Sequence, residues 1–109
     1  MKYGSTHNLA VAVYKLTREF PGEEKFGLIS QMRRAGVSVA ANIAEGFKKR
    51  GLKDKSNFYN IAQGSLEELR YYLILSKDIG YLESNTVIME SLDLVGRMLH
   101  GLINSISAR

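Results

Sequence analysis

The sequence predicts an all-α fold, a single domain over residues 1–109 built as an antiparallel up-down-up-down four-helix bundle. Three observations predict it. Only one proline occurs in 109 residues, and helix-forming residue types dominate the composition. Apolar residues recur at steps of three and four along four segments, and no segment alternates as a strand would. The connections between the segments are short, which favours neighbouring helices that run in opposite directions.

The first helix is expected over 6–19. Its apolar positions repeat every three or four residues, at Leu9, Val13, Leu16 and Phe20. Ser5 or Thr6 would cap its start, and Pro21-Gly22 would stop it.

The second helix is expected over 23–48. Its apolar stripe is Ile29, Met32, Gly36, Val39, Ile43 and Phe47. Glu23 and Glu24 would lie at the positive end of the helix dipole, and Gly51 would stop the chain after the helix.

Small side chains fill the middle of the second helix: Ala35, Gly36, Ser38, Ala40, Ala41, Ala44 and Gly46. A glycine inside a helix costs about 1 kcal/mol relative to alanine. We therefore expect a neighbouring helix to approach closely at Gly36, and likewise at Gly64 of the third helix.

The third helix is expected over 53–79, ended by Gly80, and the fourth over 85–107, capped by Ser84 or Asn85. Several apolar side chains widen the third helix beyond one seam: Tyr59, Leu66, Tyr71, Leu73 and Leu75. Periodicity alone leaves two explanations, a broad core within one chain or a helix that also meets a neighbouring subunit.

Composition excludes several classes of protein. The chain has no cysteine, so disulfide frameworks and thiolate metal sites are excluded. No apolar run approaches the roughly 20 residues that span a bilayer, and the first residues lack the apolar core of a secretion signal. We expect a cytoplasmic protein, not associated with membranes, that needs no cofactor.

No enzymatic motif is present. His7 and His100 are far apart in sequence and lack carboxylates at ligand spacing, so no metal site is expected. Arg97 and His100 share one face of the fourth helix, as an Arg–His pair does in some helical nucleases. Their spacing is shorter than usual for that class, and a ribonuclease is kept only as a remote alternative.

Four polar residues lie beside the apolar stripes of the second and third helices: Asn42, Glu45, Ser65 and Glu68. Antiparallel packing would bring the two pairs together. We expect a structural polar network there, since buried polar groups need partners and a matched set fixes the helix register.

The most basic run lies between the second and third helices: Lys48, Lys49, Arg50, Lys53 and Lys55. Two interpretations stay open, a solvated corner that satisfies a helix C-terminus and a patch that contacts phosphates. Tyr59, one turn after Lys55, could stack on a base in the second case. Arg33 and Arg34 would add to the patch, unless one of them pairs with a carboxylate such as Glu68.

Two segments resemble one bacterial family: LISQMRRAGVSVAANIAEGFKKR at 28–50 and FYNIAQGSLEELRYYLILSKDIGYL at 58–82. The pattern is Gln-x-x-Arg-Ala, Asn-Ile-Ala-Glu-Gly and Ala-x-Gly-Ser-x-x-Glu-Leu, beginning here at Gln31, Asn42 and Ala62. It is similar to that of the 23S rRNA intervening-sequence proteins, also called the S23 ribosomal protein family. The chain departs from the family in lacking tryptophan and in carrying Lys48-Lys49-Arg50 where Gly-Arg is common.

The resemblance implies an antiparallel four-helix bundle that assembles into a homopentameric ring. A related protein, the accessory variability determinant of diversity-generating retroelements, binds nucleic acid and a reverse transcriptase. We therefore expect a non-enzymatic, basic, oligomeric protein that binds RNA or DNA and is associated with 23S rRNA intervening sequences. The alternative is a scaffold that docks a protein partner such as a reverse transcriptase.

Overall fold

Four α-helices make up the structure, a computed structural model that describes residues 4–107. The helices are α1 (Gly4–Thr17), α2 (Leu28–Lys48), α3 (Leu52–Asp78) and α4 (Thr86–Ser107). A short 3-10 helix, Gly22–Glu24, lies between α1 and α2, and no strand occurs within residues 4–107.

The core takes side chains from all four helices at the spacing that the sequence predicts. Its large, fully buried apolar residues are Leu9, Val13, Met32, Val39, Ile43, Leu69, Leu73, Leu92, Val95 and Leu99. Burying one such side chain contributes roughly 1.5–3 kcal/mol. The periodicity of the sequence thus correctly predicts which face of each helix packs into the core.

The helices form a closed circuit in which α2 packs against α1 and α3, and α4 packs against α3 and α1. On α2, Gly36 would place a Cβ 3.7 Å from the Cα of Ala10, so α1 approaches α2 closely. Between α3 and α4, Arg70 donates a hydrogen bond of 2.9 Å to Asp93. Each helix therefore has two neighbours.

Both ends of α1 differ from the sequence prediction. The helix already includes Gly4, so Ser5 and Thr6 lie inside its first turn and do not cap it. It ends at Thr17, before Pro21, and the chain then turns, with the Phe20 amide donating to the carbonyl of Thr17 at 3.2 Å. The helix thus ends before it reaches the proline that the sequence predicts as its stop.

The prediction that α2 begins at Glu23 is wrong. Glu23 and Glu24 form the 3-10 helix, and α2 begins at Leu28 after Gly27. The Glu24 carboxylate accepts a hydrogen bond of 3.3 Å from the Leu28 amide and so satisfies one free amide of the new helix. A Cβ at Gly27 would lie 2.8 Å from that carboxylate, so the glycine makes room for the contact.

The end of α3 agrees with the prediction. Gly80 has a φ of 86°, which favours glycine, and its amide donates to the carbonyl of Lys77. The amide of Tyr81 donates to the carbonyl of Ser76, which completes a Schellman motif. After this turn α4 begins at Thr86, whose amide donates to the hydroxyl of Ser84.

Tyr81 ties the two turns at this end of the molecule together. Its ring centroid lies 5.3 Å from that of Phe20, and its hydroxyl donates a hydrogen bond of 2.9 Å to Glu24. The hydrogen bond to Glu24 raises the pKa of Tyr81, with a further contribution from desolvation. This hydrogen bond therefore favours folding below the ordinary tyrosine pKa, and its stabilising effect disappears as the pH rises through the raised value.

α3 approaches α2 closely at Gly46, near the end of α2. A Cβ there would lie 2.7 Å from Cδ1 and 3.0 Å from Cζ of Tyr59, which is only 2% exposed. Gly64 does not fit the expectation of a close internal contact. Nothing described between residues 4 and 107 lies within 4 Å of a Cβ built on it.

We expect Gly46→Ala to lower the free energy of unfolding. Overpacking a buried site costs about 1–3 kcal/mol, which exceeds the gain of at most about 1 kcal/mol in helix propensity. Gly101→Ala is the matched control, because a Cβ there meets nothing within 4 Å. Urea unfolding followed by circular dichroism should show opposite signs for the two variants, and equal stabilities would contradict the contact.

Candidate nucleic-acid interface

The basic corner, residues 48–55, forms where α2 gives way to α3. α2 ends at Lys48 because Lys49 has extended backbone angles, with φ −70° and ψ 144°. Gly51 also has an extended conformation and precedes the first turn of α3, where its carbonyl accepts from the Lys55 amide at 3.0 Å. Gly51 therefore begins the next helix, and the expectation that it stops α2 is corrected.

Lys55 turns inward and closes the end of α2. Its ammonium donates hydrogen bonds of 2.9 Å to the carbonyl of Gly46 and 3.2 Å to that of Phe47. The last carbonyls of a helix lack partners within the helix and carry partial negative charge, so a cation stabilises them. Lys55 thus satisfies the C-terminus of α2, which is one of the two interpretations of the corner that the sequence left open.

Lys49 is partly engaged within the protein. Its ammonium lies 3.6 Å from the carboxylate of Glu45, one turn earlier on α2, and 5.2 Å from the centroid of the Phe58 ring. Exposed contacts of this kind contribute at most about 1 kcal/mol each. Lys49 can therefore exchange them for a phosphate at little expense.

Lys48, Arg50 and Lys53 are the free cations of the corner. All three are exposed, and none has an ion pair or a side-chain hydrogen bond to another residue in the described part of the chain. Asp54 is the one acidic residue among positions 48–55. An incoming phosphate would meet positive charge here without first breaking a salt bridge.

Arg33 and Arg34 lie away from the corner and hold the helices together. Arg33 donates to the Thr17 hydroxyl at 3.0 Å and stacks over the Tyr14 ring at 4.6 Å, so it binds α2 to α1. Arg34 pairs with Glu68 and so binds α2 to α3. The sequence allowed one of these arginines to pair with Glu68, and Arg34 makes that ion pair.

The polar residues between α2 and α3 form two groups. The first group is Ser38, Ser65 and Asn42. The Ser38 hydroxyl lies 2.8 Å from the Ser65 hydroxyl and accepts a hydrogen bond of 3.1 Å from the Asn42 side chain. Glu68 belongs to the second, in which it binds Arg34 and accepts from Tyr72 at 3.2 Å. Glu45 joins neither group and pairs with Lys49.

The expected polar network did not include Ser38, although its position one turn before Asn42 places the two side chains on the same face of α2. The sequence also left open that Tyr59 could stack on a base. Because Tyr59 is buried beside Gly46 and 6.3 Å from the ring of Phe47, its ring cannot stack on a base.

A cleft of about 480 Å³ between α3 and α4 contains Arg97 and His100 together with Arg70, Asp93 and Glu67. The two acids contact Arg70, at 2.9 Å for Asp93 and 3.5 Å for Glu67, and His100 contacts Asn104 at 3.1 Å. The cleft thus brings the Arg–His pair close to acids, but those acids are occupied.

His7 lies on α1, outside this cleft. Among residues 4–107, no three histidine, aspartate or glutamate side chains come together to hold a metal ion. In the same part of the chain, none of the helices has the length and apolar character needed to cross a membrane.

Comparisons with known proteins cover most of the chain. The profile of the 23S rRNA-intervening sequence protein family matches residues 2–101. A crystal structure from Bacteroides thetaiotaomicron, described as a protein with unknown function from the S23 ribosomal protein family, shares 27% sequence identity with this chain. The two structures superpose with a TM-score of 0.85, and the similarity covers 94% of each chain. No curated protein matches the chain.

Lys55→Met should lower the free energy of unfolding by about 1–2 kcal/mol, because it removes charge-assisted hydrogen bonds from the end of α2. Lys53→Met is the matched control and should change stability by no more than about 0.5 kcal/mol, since Lys53 makes no such hydrogen bond. Urea denaturation of both variants measures the difference. Equal destabilisation of the two variants would show that Lys55 does not hold α2.

Proposed function

Since this chain belongs to the 23S rRNA-intervening sequence protein family, we propose that it is a non-enzymatic accessory protein that binds nucleic acid through its basic corner. The proposed ligand is RNA that carries such an intervening sequence. This RNA is made in the bacterial cytoplasm, so we propose that location for the protein. The single observation that supports the proposal is the group of free cations, Lys48, Arg50 and Lys53.

The chemistry of the corner suits contact with the phosphate backbone. Arg50 can donate two parallel hydrogen bonds to one phosphate, while Lys48 and Lys53 supply point charges. Such contacts fix position but carry no sequence information. We therefore expect an affinity that falls steeply with salt and a weak preference among sequences.

The proposal includes an antiparallel up-down-up-down bundle that assembles into a homopentameric ring. Contacts between α2 and α3 support the first part, because Arg34 meets Glu68, Ser38 meets Ser65, and Gly46 meets Tyr59. As the residue number increases along α2, the number of the contacting residue on α3 decreases, as expected for two antiparallel helices. A ring would repeat the basic corner in every subunit, and linked weak sites bind a long polyanion far more tightly than one site does.

We propose no catalytic role for the cleft between α3 and α4. The remote alternative, a ribonuclease, is favoured by the nearness of Arg97 and His100 in this cleft. Against it, both acids are bound to Arg70, so neither is free beside His100 as a second acid or base. A general base needs a free nitrogen or oxygen within hydrogen-bond reach of the group it deprotonates.

The second candidate function is a scaffold that docks a protein such as a reverse transcriptase. Its supporting observation is exposed apolar surface away from the corner, where Phe26 is 88% and Val87 81% exposed. Apolar docking depends little on ionic strength, whereas phosphate binding is screened. A salt titration of binding to each ligand therefore separates the two functions.

We expect Arg50→Glu combined with Lys53→Glu to weaken RNA binding at least tenfold at low salt. The slope of log K against log salt should become shallower by about 0.7–0.9 for each phosphate that the protein no longer neutralises. Folding should be kept, because residue 50 is outside the helices and an acid at residue 53 suits the first turn of α3. Fluorescence anisotropy with a labelled RNA hairpin measures the binding.

The matched control for this experiment is Lys25→Glu combined with Lys77→Glu. It changes the net charge equally, but Lys25 follows the 3-10 helix and Lys77 lies in the last turn of α3, both away from the corner. The control should bind nearly as the unmodified protein does. Equally weakened RNA binding in the two double variants would assign the effect to net charge and overturn the role of the corner.

A further inference from the structure

The cleft between α3 and α4 has the size and the polar groups of a ligand site. Its volume is about 480 Å³, and ligand pockets in proteins measure roughly 300–1,000 Å³. The buried side chain of Leu66 provides an apolar floor. The polar groups around it are Gln63, Glu67 and Arg70 on α3 and Asp93, Arg97 and His100 on α4. An apolar floor with a few convergent polar groups is the usual arrangement of a site for a small polar ligand.

Gly96 keeps the cleft open. It lies in the interior of α4, where glycine is less favourable than alanine. A Cβ at this position would lie 3.5 Å from Cδ2 of Leu66, and both residues line the cleft. A larger side chain at position 96 would therefore extend into the space that a ligand needs.

The acids of the cleft are held by Arg70 and keep the capacity to accept hydrogen bonds. Arg70 donates a hydrogen bond of 2.9 Å to Oδ1 of Asp93, and its Nε lies 3.5 Å from the carboxylate of Glu67. Oδ2 of Asp93 accepts no hydrogen bond from another side chain in residues 4–107. A carboxylate that an arginine holds in place, with one oxygen free, is a preorganised acceptor for a hydroxyl group.

Arg97 and His100 form the positive end of the cleft. They lie three residues apart on one face of α4, and Arg97 is exposed and has no ion pair in the described part of the chain. His100 contacts Asn104 through Nε2 at 3.1 Å, which leaves its other ring nitrogen, Nδ1, without a partner among the same residues. A guanidinium beside an imidazole suits an anion such as a phosphate.

One ribonucleotide matches this order of groups. Its phosphate would contact Arg97 and His100, and its ribose 2′-hydroxyl would donate to the free oxygen of Asp93. Asp93 and Arg97 are one helical turn apart, with roughly 5–6 Å between their Cβ atoms, so both can contact one nucleotide. Carboxylates hydrogen-bond ribose hydroxyls in nucleotide-binding folds. A deoxyribonucleotide lacks the 2′-hydroxyl and would lose this contact.

A polar strip on α3 connects the cleft to the basic corner. Its exposed side chains follow at steps of three and four, which places them on one helix face: Lys53, Asn57, Asn60, Gln63 and Glu67. At a rise of 1.5 Å per residue, Lys53 and Gln63 lie roughly 15 Å apart along the helix axis. One RNA strand can therefore contact the corner and the cleft together. This continuity favours RNA over a free zwitterion such as an amino acid, whose two charges the cleft would also match.

We propose that the α3–α4 cleft binds one ribonucleotide of the RNA, with its phosphate at Arg97 and His100 and its 2′-hydroxyl at Asp93. The inference rests on the proposed function, because the basic corner supplies the main attraction to the strand. The cleft adds a preference for RNA over DNA. The corner alone cannot supply that preference, since the phosphates that it contacts are the same in both nucleic acids.

Three oligonucleotides of one unstructured sequence test the hydroxyl contact: RNA, DNA and 2′-O-methyl RNA. The methylated oxygen can accept a hydrogen bond but cannot donate one. Fluorescence anisotropy at one salt concentration should show RNA bound at least about fivefold more tightly than either analogue, because a hydrogen bond to a charged group is lost in both. If RNA binds no more tightly than DNA, or no more tightly than the methylated strand, the proposal is overturned.

Asp93→Asn tests the acceptor, with Asp78→Asn as the matched control. Each variant removes one negative charge, and Asp78 lies at the end of α3, has no ion pair within residues 4–107 and does not line the cleft. The amide of residue 93 can still accept from Arg70, but it presents a nitrogen in place of the free oxygen. The ratio of RNA to DNA affinity should fall to about one in Asp93→Asn and stay unchanged in Asp78→Asn. An unchanged ratio in Asp93→Asn would reject the assignment.

Arg97→Gln tests the phosphate contact, with Lys77→Gln as the control that removes one positive charge outside the cleft. We expect Arg97→Gln to weaken RNA binding at least about fivefold, since a charge-assisted hydrogen bond to phosphate is lost, and Arg97→Lys to restore part of it. Circular dichroism should show equal helix content in all variants. RNA binding by Arg97→Gln that equals that of Lys77→Gln would contradict the site.

The variants of the corner let the two proposals fail separately. Arg50→Glu combined with Lys53→Glu should weaken the binding of RNA and DNA alike and keep the ratio of their affinities. If this double variant binds normally while Asp93→Asn loses the preference for RNA, the corner is wrong and the cleft is supported. If the double variant loses binding but the unmodified protein does not distinguish RNA from DNA, the corner is supported and the cleft is rejected.

Discussion

The close packing of α2 against α3 is the constraint on which the rest of the structure depends. It requires a glycine at position 46, since any side chain there would collide with Tyr59. Farther along the same contact, Ser38 and Ser65 share a hydrogen bond, and Arg34 pairs with Glu68. Ser65 is buried and needs a partner, so its hydrogen bond to Ser38 helps to fix the register of the two helices. This register places the end of α2 beside the first turn of α3.

The basic corner follows from that register. With the end of α2 held beside the first turn of α3, Lys55 reaches the carbonyls of Gly46 and Phe47. The helix terminus is then satisfied by one cation, and the others are not needed for it. The corner therefore combines both interpretations of its sequence. Lys55 supports the fold, and Lys48, Arg50 and Lys53 remain exposed to solvent.

Periodicity was enough to predict the four helices and their inward faces, because burial of an apolar stripe dominates helix formation in a folded chain. Periodicity did not predict the start of α2. The helix dipole suggested that Glu23 and Glu24 lie in its first turn, whereas the Glu24 side chain accepts a hydrogen bond from the Leu28 amide and so lies just before the helix. The sequence could not show which basic side chain of the corner turns inward, because its five cationic residues have similar chemistry and lie close together in the chain. Gly64 shows the same limit: a glycine in a helix suggests close packing, but nothing in the described part of the chain lies within 4 Å of a Cβ built on it.

Lysine reactivity measured by mass spectrometry tests the central claim most directly, namely that the corner divides into a structural cation and cations available to phosphate. In the free protein, an amine-acetylating reagent should modify Lys53 and Lys48 quickly and Lys55 slowly. Added RNA should protect Lys48 and Lys53 while leaving Lys25 and Lys77 reactive. The account is contradicted if Lys55 reacts as fast as Lys53 without RNA, or if RNA protects Lys25 and Lys77 in preference to the corner.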